Sequence, residues 1–221
     1  MNIIDDTWLE KIWTWADENH IPDLKWIEHD SYLKAGYFKG LPRDKDKLIN
    51  LKELNLLGYQ LATLPSEIGH LTELTKIYLS GNKLTKLPKE ISSLSNLKEL
   101  YVPGNHLTSI PSEIGNLLSL EMLVIQENEL TTIPSEIGNL TNLRVLEVGG
   151  NKLTSLPKEI GNLTRLNKLT FWKNKLTKLP VEIGSLLSLK EVDCTYNKLE
   201  LTQLDVEWLE SLISQDCEVC I

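Results

Sequence analysis

The chain has 221 residues, 41% of them hydrophobic and 24% charged, with a formal net charge of −8. That composition is ordinary for a soluble globular protein, and no run of 18 apolar residues offers a membrane-spanning helix. Residues 51–200 balance to zero charge and the acidic excess sits on the two ends, so nothing in the charge favours nucleic acid or an anionic membrane as a partner.

From the start of the chain, MNIIDDTWLEK places acids where a secretory leader needs bases, and no apolar stretch follows. The expectation is a cytoplasmic protein, compatible also with export by a route that uses no apolar leader. Thr7 and Glu10 have capping-box spacing, and Trp8, Leu9, Ile12 and Trp15 then share one face, which predicts a helix over about 8–19. Pro22 and Trp26 suggest a second short helical piece. Within GLPRDKDKLINL, residues 40–51, Leu41, Pro42 and Leu48 match one half of the repeat that follows. Residues 1–50 are read as an N-terminal cap, needed because a stacked array exposes its core at each end.

From Leu51 the sequence repeats every 23 residues, with units starting at Leu51, Leu74, Leu97, Leu120, Leu143, Leu166 and Leu189. The shared pattern is LxxLxLxxNxLTxLPxEIGxLxx. Units one to six are complete, and the seventh departs after Leu199. Alternating apolar residues in LxLxxN predict a short strand with one face inward, and stacked copies form a parallel sheet. The Asn column is Asn82, Asn105, Asn128, Asn151, Asn174 and Asn197, with Tyr59 in the first unit. An Asn side chain both donates and accepts, which suits backbone groups at a dry turn. Pro fits the first turn of a short outer helix, Glu two residues later sits at its positive end, and Gly, or Ser92 once, ends it.

After residue 200, Leu201, Leu204, Trp208, Leu209, Leu212 and Ile213 have helical spacing, with Asp205, Glu207 and Glu210 facing the other way. Residues 201–221 are read as a closing helix with a short inert tail. The cap tryptophans are read as buried core rather than a stacking site.

This pattern resembles the leucine-rich repeat family, over about two thirds of the chain. The LPxEIGxL half is similar to the intracellular 23-residue subclass of plant Ras-group, Ras-suppressor and scribble-like proteins and of many bacterial repeat proteins. The resemblance implies an α/β solenoid, a right-handed arc with the parallel sheet on its concave face, short helices or 3-10 turns on the convex face, and helical caps. Its seven repeats, six of them complete, occupy residues 51–200. It also implies a scaffold or recognition device rather than an enzyme, with a bacterial effector that binds a host protein as the alternative.

No chemistry competes with that reading. His20, His29, His70 and His106 share no spacing with an acid or nucleophile, and no nucleotide, metalloprotease or hydrolase motif is present. The column Glu67, Glu90, Glu113, Glu136, Glu159 and Glu182 is explained by helix starts. Cys217-Glu-Val-Cys220 lacks the second pair a zinc site needs, and Cys194 fills a core column. Three clustered cysteines are no disulfide framework and suit a reducing compartment. No catalytic residue, metal or cofactor is expected.

The outward strand positions are the surface that the repeat leaves free. Tyr78, Tyr101 and Val124 fall side by side, flanked by Pro103, Met122 and Val145; Trp172 stands beside Gly149; Glu147, Lys168 and Asp193 ring them. A solvated sheet face is normally polar. These ten residues, Tyr78, Tyr101, Pro103, Met122, Val124, Val145, Glu147, Lys168, Trp172 and Asp193, are the expected contact surface for a protein or peptide, bound by a monomer.

Overall fold

The computed structural model describes residues 6–27 and 37–221. The reading of the first five residues as no secretory leader, and His29, lie outside those residues.

Helix α1, Thr7–Glu18, buries Leu9, Ile12, Trp15 and Ala16. The expected capping box is absent. Thr7 is already helical, and the cap residue Asp6 makes no side-chain capping bond. Its carboxylate is taken by Lys45, whose Nζ stands 2.6 Å from Oδ2. Trp8 stacks on His70 at 4.8 Å between ring centroids, Lys11 pairs with Glu67 at 3.3 Å, and the Trp13 indole N–H donates to the Pro42 carbonyl at 3.0 Å. These contacts lay α1 across the first repeat.

The helical piece expected at Pro22–Trp26 is not formed. Strand β1, Lys25–Ile27, pairs antiparallel with β2, Tyr37–Lys39. The Pro22 carbonyl accepts from the Leu41 N–H at 3.0 Å, so the segment around it is spent on a chain-to-chain bond rather than a helical turn. Helix α2, Lys45–Ile49, follows, capped by the Asp44 carboxylate on the Lys47 N–H, and it buries Leu48.

The repeats then build one parallel sheet: β3 Glu53–Asn55, β4 Lys76–Tyr78, β5 Glu99–Tyr101, β6 Met122–Val124, β7 Val145–Glu147, β8 Lys168–Thr170 and β9 Glu191–Asp193. Each strand pairs with its counterpart 23 residues on, in strict register. Core leucines stack behind the sheet as continuous columns, nearly all fully buried. On the opposite side run 3-10 helices of five residues: η1 Ser66–His70, η2 Lys89–Ser93, η3 Ser112–Asn116, η4 Ser135–Asn139, η5 Lys158–Asn162 and η6 Val181–Ser185. The short return stroke leaves room for one tight turn, which 3-10 geometry fits.

Two details of that turn differ from expectation. Pro stands one residue before the helix, extended at φ −72 and ψ 149 for Pro65, and its carbonyl takes the first helical bond. Its missing N–H costs nothing there either. Gly does not end the turn but lies inside it. A Cβ on Gly69, Gly115 or Gly161 would stand 2.7, 2.5 or 2.4 Å from the carbonyl oxygen of Glu90, Glu136 or Glu182 in the next repeat. The glycine lets consecutive turns touch.

Each Asn bridges backward. Asn128 Oδ1 accepts from the Leu107 N–H at 3.0 Å, while Nδ2 donates to the carbonyls of Val102 and Ile125 at 2.9 and 3.2 Å. Asn82, Asn105, Asn151, Asn174 and Asn197 repeat these bonds. Among the described residues no complete repeat stands behind the first, and Tyr59 instead receives the Lys39 ammonium 4.7 Å from its ring.

Helix α3, Gln203–Ile213, starts with a full capping box between Thr202 and Asp205. Asp205 is therefore buried rather than facing solvent, whereas Leu204 and Ile213, assigned to the inner stripe, are exposed. The tail is not inert. Glu218–Cys220 forms β10, parallel to β9 and completing an eight-stranded sheet.

Candidate functional site

The outward strand positions line the sheet face, and the register places them as rows. Tyr78 stands opposite Asn55 and Tyr101, Tyr101 opposite Val124, and Met122 opposite Val145. The Tyr78 and Tyr101 rings stack at 4.9 Å with 19° between planes, and the Tyr101 hydroxyl reaches the Met122 sulfur. An offset aromatic pair with a thioether at its edge is a stable, rigid surface. Both tyrosines, Pro103, Met122, Val145 and Trp172 are half-buried. The Trp172 ring lies over Gly149, where any Cβ would collide with it at 2.2 Å.

Val124 is a correction. It is only 7% exposed. A short valine between the longer Tyr101 and Glu147 sits on the floor of the face, so it supports the surface without presenting itself to a partner. Asn55 and Thr170, in the same column, are buried too, and the Thr170 hydroxyl has no hydrogen-bond partner among the described residues.

Charge frames the aromatic strip. Lys76 pairs with Glu99 at 2.8 Å, and Lys168 lies 2.9 Å from both Glu147 and Glu191. The Glu99 hydrogen bond holds the Lys76 ammonium above its usual pKa, and Glu191, then Glu147, do so for Lys168. Burial, with Glu99 adding repulsion, pushes the Tyr78 and Tyr101 phenols up to about 12. The Gln126 amide also bonds to Glu147, and the Asp193 carboxylate is turned onto the Thr195 N–H and hydroxyl. The surface is neutral phenol, thioether and indole inside a border of ion pairs. Among the described residues it holds no nucleophile with an activating base.

Elsewhere, Cys217 is buried and Cys220 exposed, so the CxxC pair does not converge. Among the described residues no group of three His, Cys, Asp or Glu comes together to hold a metal, and no helix is long and apolar enough to cross a membrane. Spacing gives Gln126 and Thr170 outward positions but no role, and it gives no sign of β10. A polar residue beside Glu147 is visible in the columns, but its bond to that carboxylate depends on side-chain rotamers.

Comparison with known proteins places the fold. A family model for the leucine-rich repeat region matches residues 42–148 and 112–214. No curated protein matches the chain. Among solved structures, a leucine-rich repeat protein of Leptospira interrogans is 37% identical, with a TM-score of 0.73, over 80% of this chain and 44% of that one. An internalin of Listeria monocytogenes is 25% identical at a TM-score of 0.66, over 81% and 51%. The ectodomain of the Arabidopsis thaliana membrane receptor kinase GASSHO1/SCHENGEN3, in complex with Casparian strip integrity factor 2, is 24% identical at a TM-score of 0.70, over 94% and 29%. The chain thus spans about half or less of the length of each. Two overlapping matches to the repeat model, on a sheet that adds one strand every 23 residues, make the chain a member of the leucine-rich repeat family.

Proposed function

We propose that the chain is a non-catalytic protein-binding module that engages a protein or peptide through its sheet face, as a monomer and without a cofactor. The observation that carries this reading is the Tyr78–Tyr101 stack, continued by Met122 and Val145, with Trp172 farther along the face over Gly149, at positions that the repeat does not dictate. Aromatic residues with few rotors give large contact at low entropy cost and are frequent interface anchors. Lys76 and Lys168 are outnumbered on this face by Glu53, Glu99, Glu147, Glu191 and Asp193, so the fitting partner carries basic groups around an apolar centre. Nucleic acid and anionic membrane do not fit such a face.

The test is a pair of double variants on the full chain. Tyr101→Ala with Trp172→Ala is expected to weaken partner binding by about 2 kcal/mol or more. Both side chains point away from the core, so stability should move by only about 0.5–1 kcal/mol. Lys89→Ala with Lys158→Ala, on the opposite face, should leave binding intact. A complex lost with the lysine pair and retained with the aromatic pair would overturn the reading.

A second reading of the same face is a bacterial protein delivered to a host, where it binds a host protein; the likeness to Leptospira and Listeria proteins supports its bacterial part alone. A secretion assay separates this from a resident cytoplasmic scaffold.

A further inference from the structure

The last turn of the array, η6, differs from the other five. Its first residue is Val181, 66% exposed, where the others have Ser66, Lys89, Ser112, Ser135 and Lys158. Leu179, two residues earlier, is partly uncovered, while its counterparts Leu64, Leu87, Ile110, Ile133 and Leu156 are all buried. Gly184 has nothing within 4 Å of a Cβ position, whereas Gly161 one repeat back has the Glu182 carbonyl 2.4 Å away. Leu204, at the start of α3, is 60% exposed across the gap. Helix α3 covers only part of η6, and an apolar groove of about 330 Å³ remains between them, floored by Trp208.

We propose that this groove docks a short helical segment of a partner protein, with apolar side chains on one face and lysine or arginine at its flanks. Each turn before η6 packs against the turn of the next repeat, whose backbone closes on the glycine of η1, η3, η4 and η5, and Gly184 presents the same seat left open. Charge sets the flanks. Residues 201–221 carry four exposed acids, Glu207, Glu210, Asp216 and Glu218, besides the buried Asp205, and no Lys or Arg, and η6 adds the exposed Glu182, with Lys178 as the base nearest to it in sequence. A second copy of the chain does not fit, because a symmetric contact would face α3's acids with themselves. Valine in place of serine or lysine removes the polar group that would otherwise keep the turn wet.

The experiment selects displayed random twelve-residue peptides on the immobilised full chain and measures an enriched peptide by fluorescence anisotropy. Enriched sequences are expected to be basic, with apolar residues three and four apart. Val181→Ser with Gly184→Gln should weaken the peptide by about tenfold or more. Gly184 is unobstructed and Ser is the sibling residue, so the melting temperature should hold. Val181→Lys alone, copying Lys89 and Lys158, is a second variant and should repel the basic peptide. The Tyr101→Ala, Trp172→Ala chain should bind it normally, which separates this groove from the sheet face. Acidic or patternless peptides, binding unchanged by both groove variants, or a dimer in sedimentation that Val181→Ser with Gly184→Gln dissolves would each overturn the proposal.

Discussion

Gly161 and Glu182 meet across a repeat boundary so closely that a Cβ on the glycine would stand 2.4 Å from the Glu182 carbonyl oxygen. The obstacle is backbone, which cannot swing away as a side chain tip does. Gly161→Ala must therefore shift η6 against η5, an overpacking expected to cost about 1–3 kcal/mol. Gly184→Ala, at the equivalent but open position, should change stability by no more than a few tenths. Urea midpoints of the two variants check this. Equal losses would show that the glycine serves the turn itself rather than the contact.

The Asn column makes a second energetic claim. Asn128→Ala would leave the Leu107 N–H without its partner in a buried seam and take one of two donors from the Val102 and Ile125 carbonyls, which keep Asn105 and Asn151. One orphaned N–H and two weakened carbonyls are expected to cost about 1–3 kcal/mol, read from chemical denaturation. Tyr59→Asn should recover nothing, because the described residues before β3 form an antiparallel strand pair and a helix rather than a complete repeat for it to bridge.

Much of this fold is legible from spacing alone. The 23-residue period fixes which residues are opposite one another, and that is enough to set Tyr78, Tyr101 and Val124 side by side. What spacing lacks is height. Val124 is hidden because Tyr101 and Glu147 are longer, a property of rotamers and not of register. The period also lapses at the ends. β10 rests on the three residues Glu218–Cys220, too few to show alternation, and its partner β9 is what makes it a strand. Pro22 reads as a helix start in isolation, yet its carbonyl is taken by Leu41, far outside any local window.

The tyrosine stack has a titration signature. Burial first, and Glu99 next, raise the Tyr78 and Tyr101 phenols from 10 to about 12. The unfolded chain loses these protons near 10 while the folded chain keeps them, so the folded state binds more protons in that window. Stability from the stack is therefore complete below pH 10 and falls as pH rises from about 10 to 12. Phenolate absorbance of the native protein should show a late-titrating fraction. Tyr78→Phe with Tyr101→Phe should shrink it, leaving Tyr59, which burial also raises, and flatten the alkaline loss of stability. A late fraction unchanged in that variant would place the perturbed phenols elsewhere.

The three thiols separate by strand geometry. Val219 stands opposite Val192 on the core side of the sheet, and alternation puts Cys217 on that side and Cys220 on the other. Cys217 is 7% exposed and burial raises its pKa, while Cys194 is pushed up to about 11, again mainly by burial. A thiol held protonated and covered is a poor nucleophile. Native protein should therefore react with a thiol reagent at Cys220 alone, and at all three cysteines once unfolded. Cys220→Ser should leave stability unchanged. Cys217→Ser puts a hydroxyl into the seam between α3 and the sheet and should cost about 1–2 kcal/mol. Rapid labelling of Cys217 in the folded protein, or a neutral Cys217→Ser, would mean that β10 is not seated against β9 in solution.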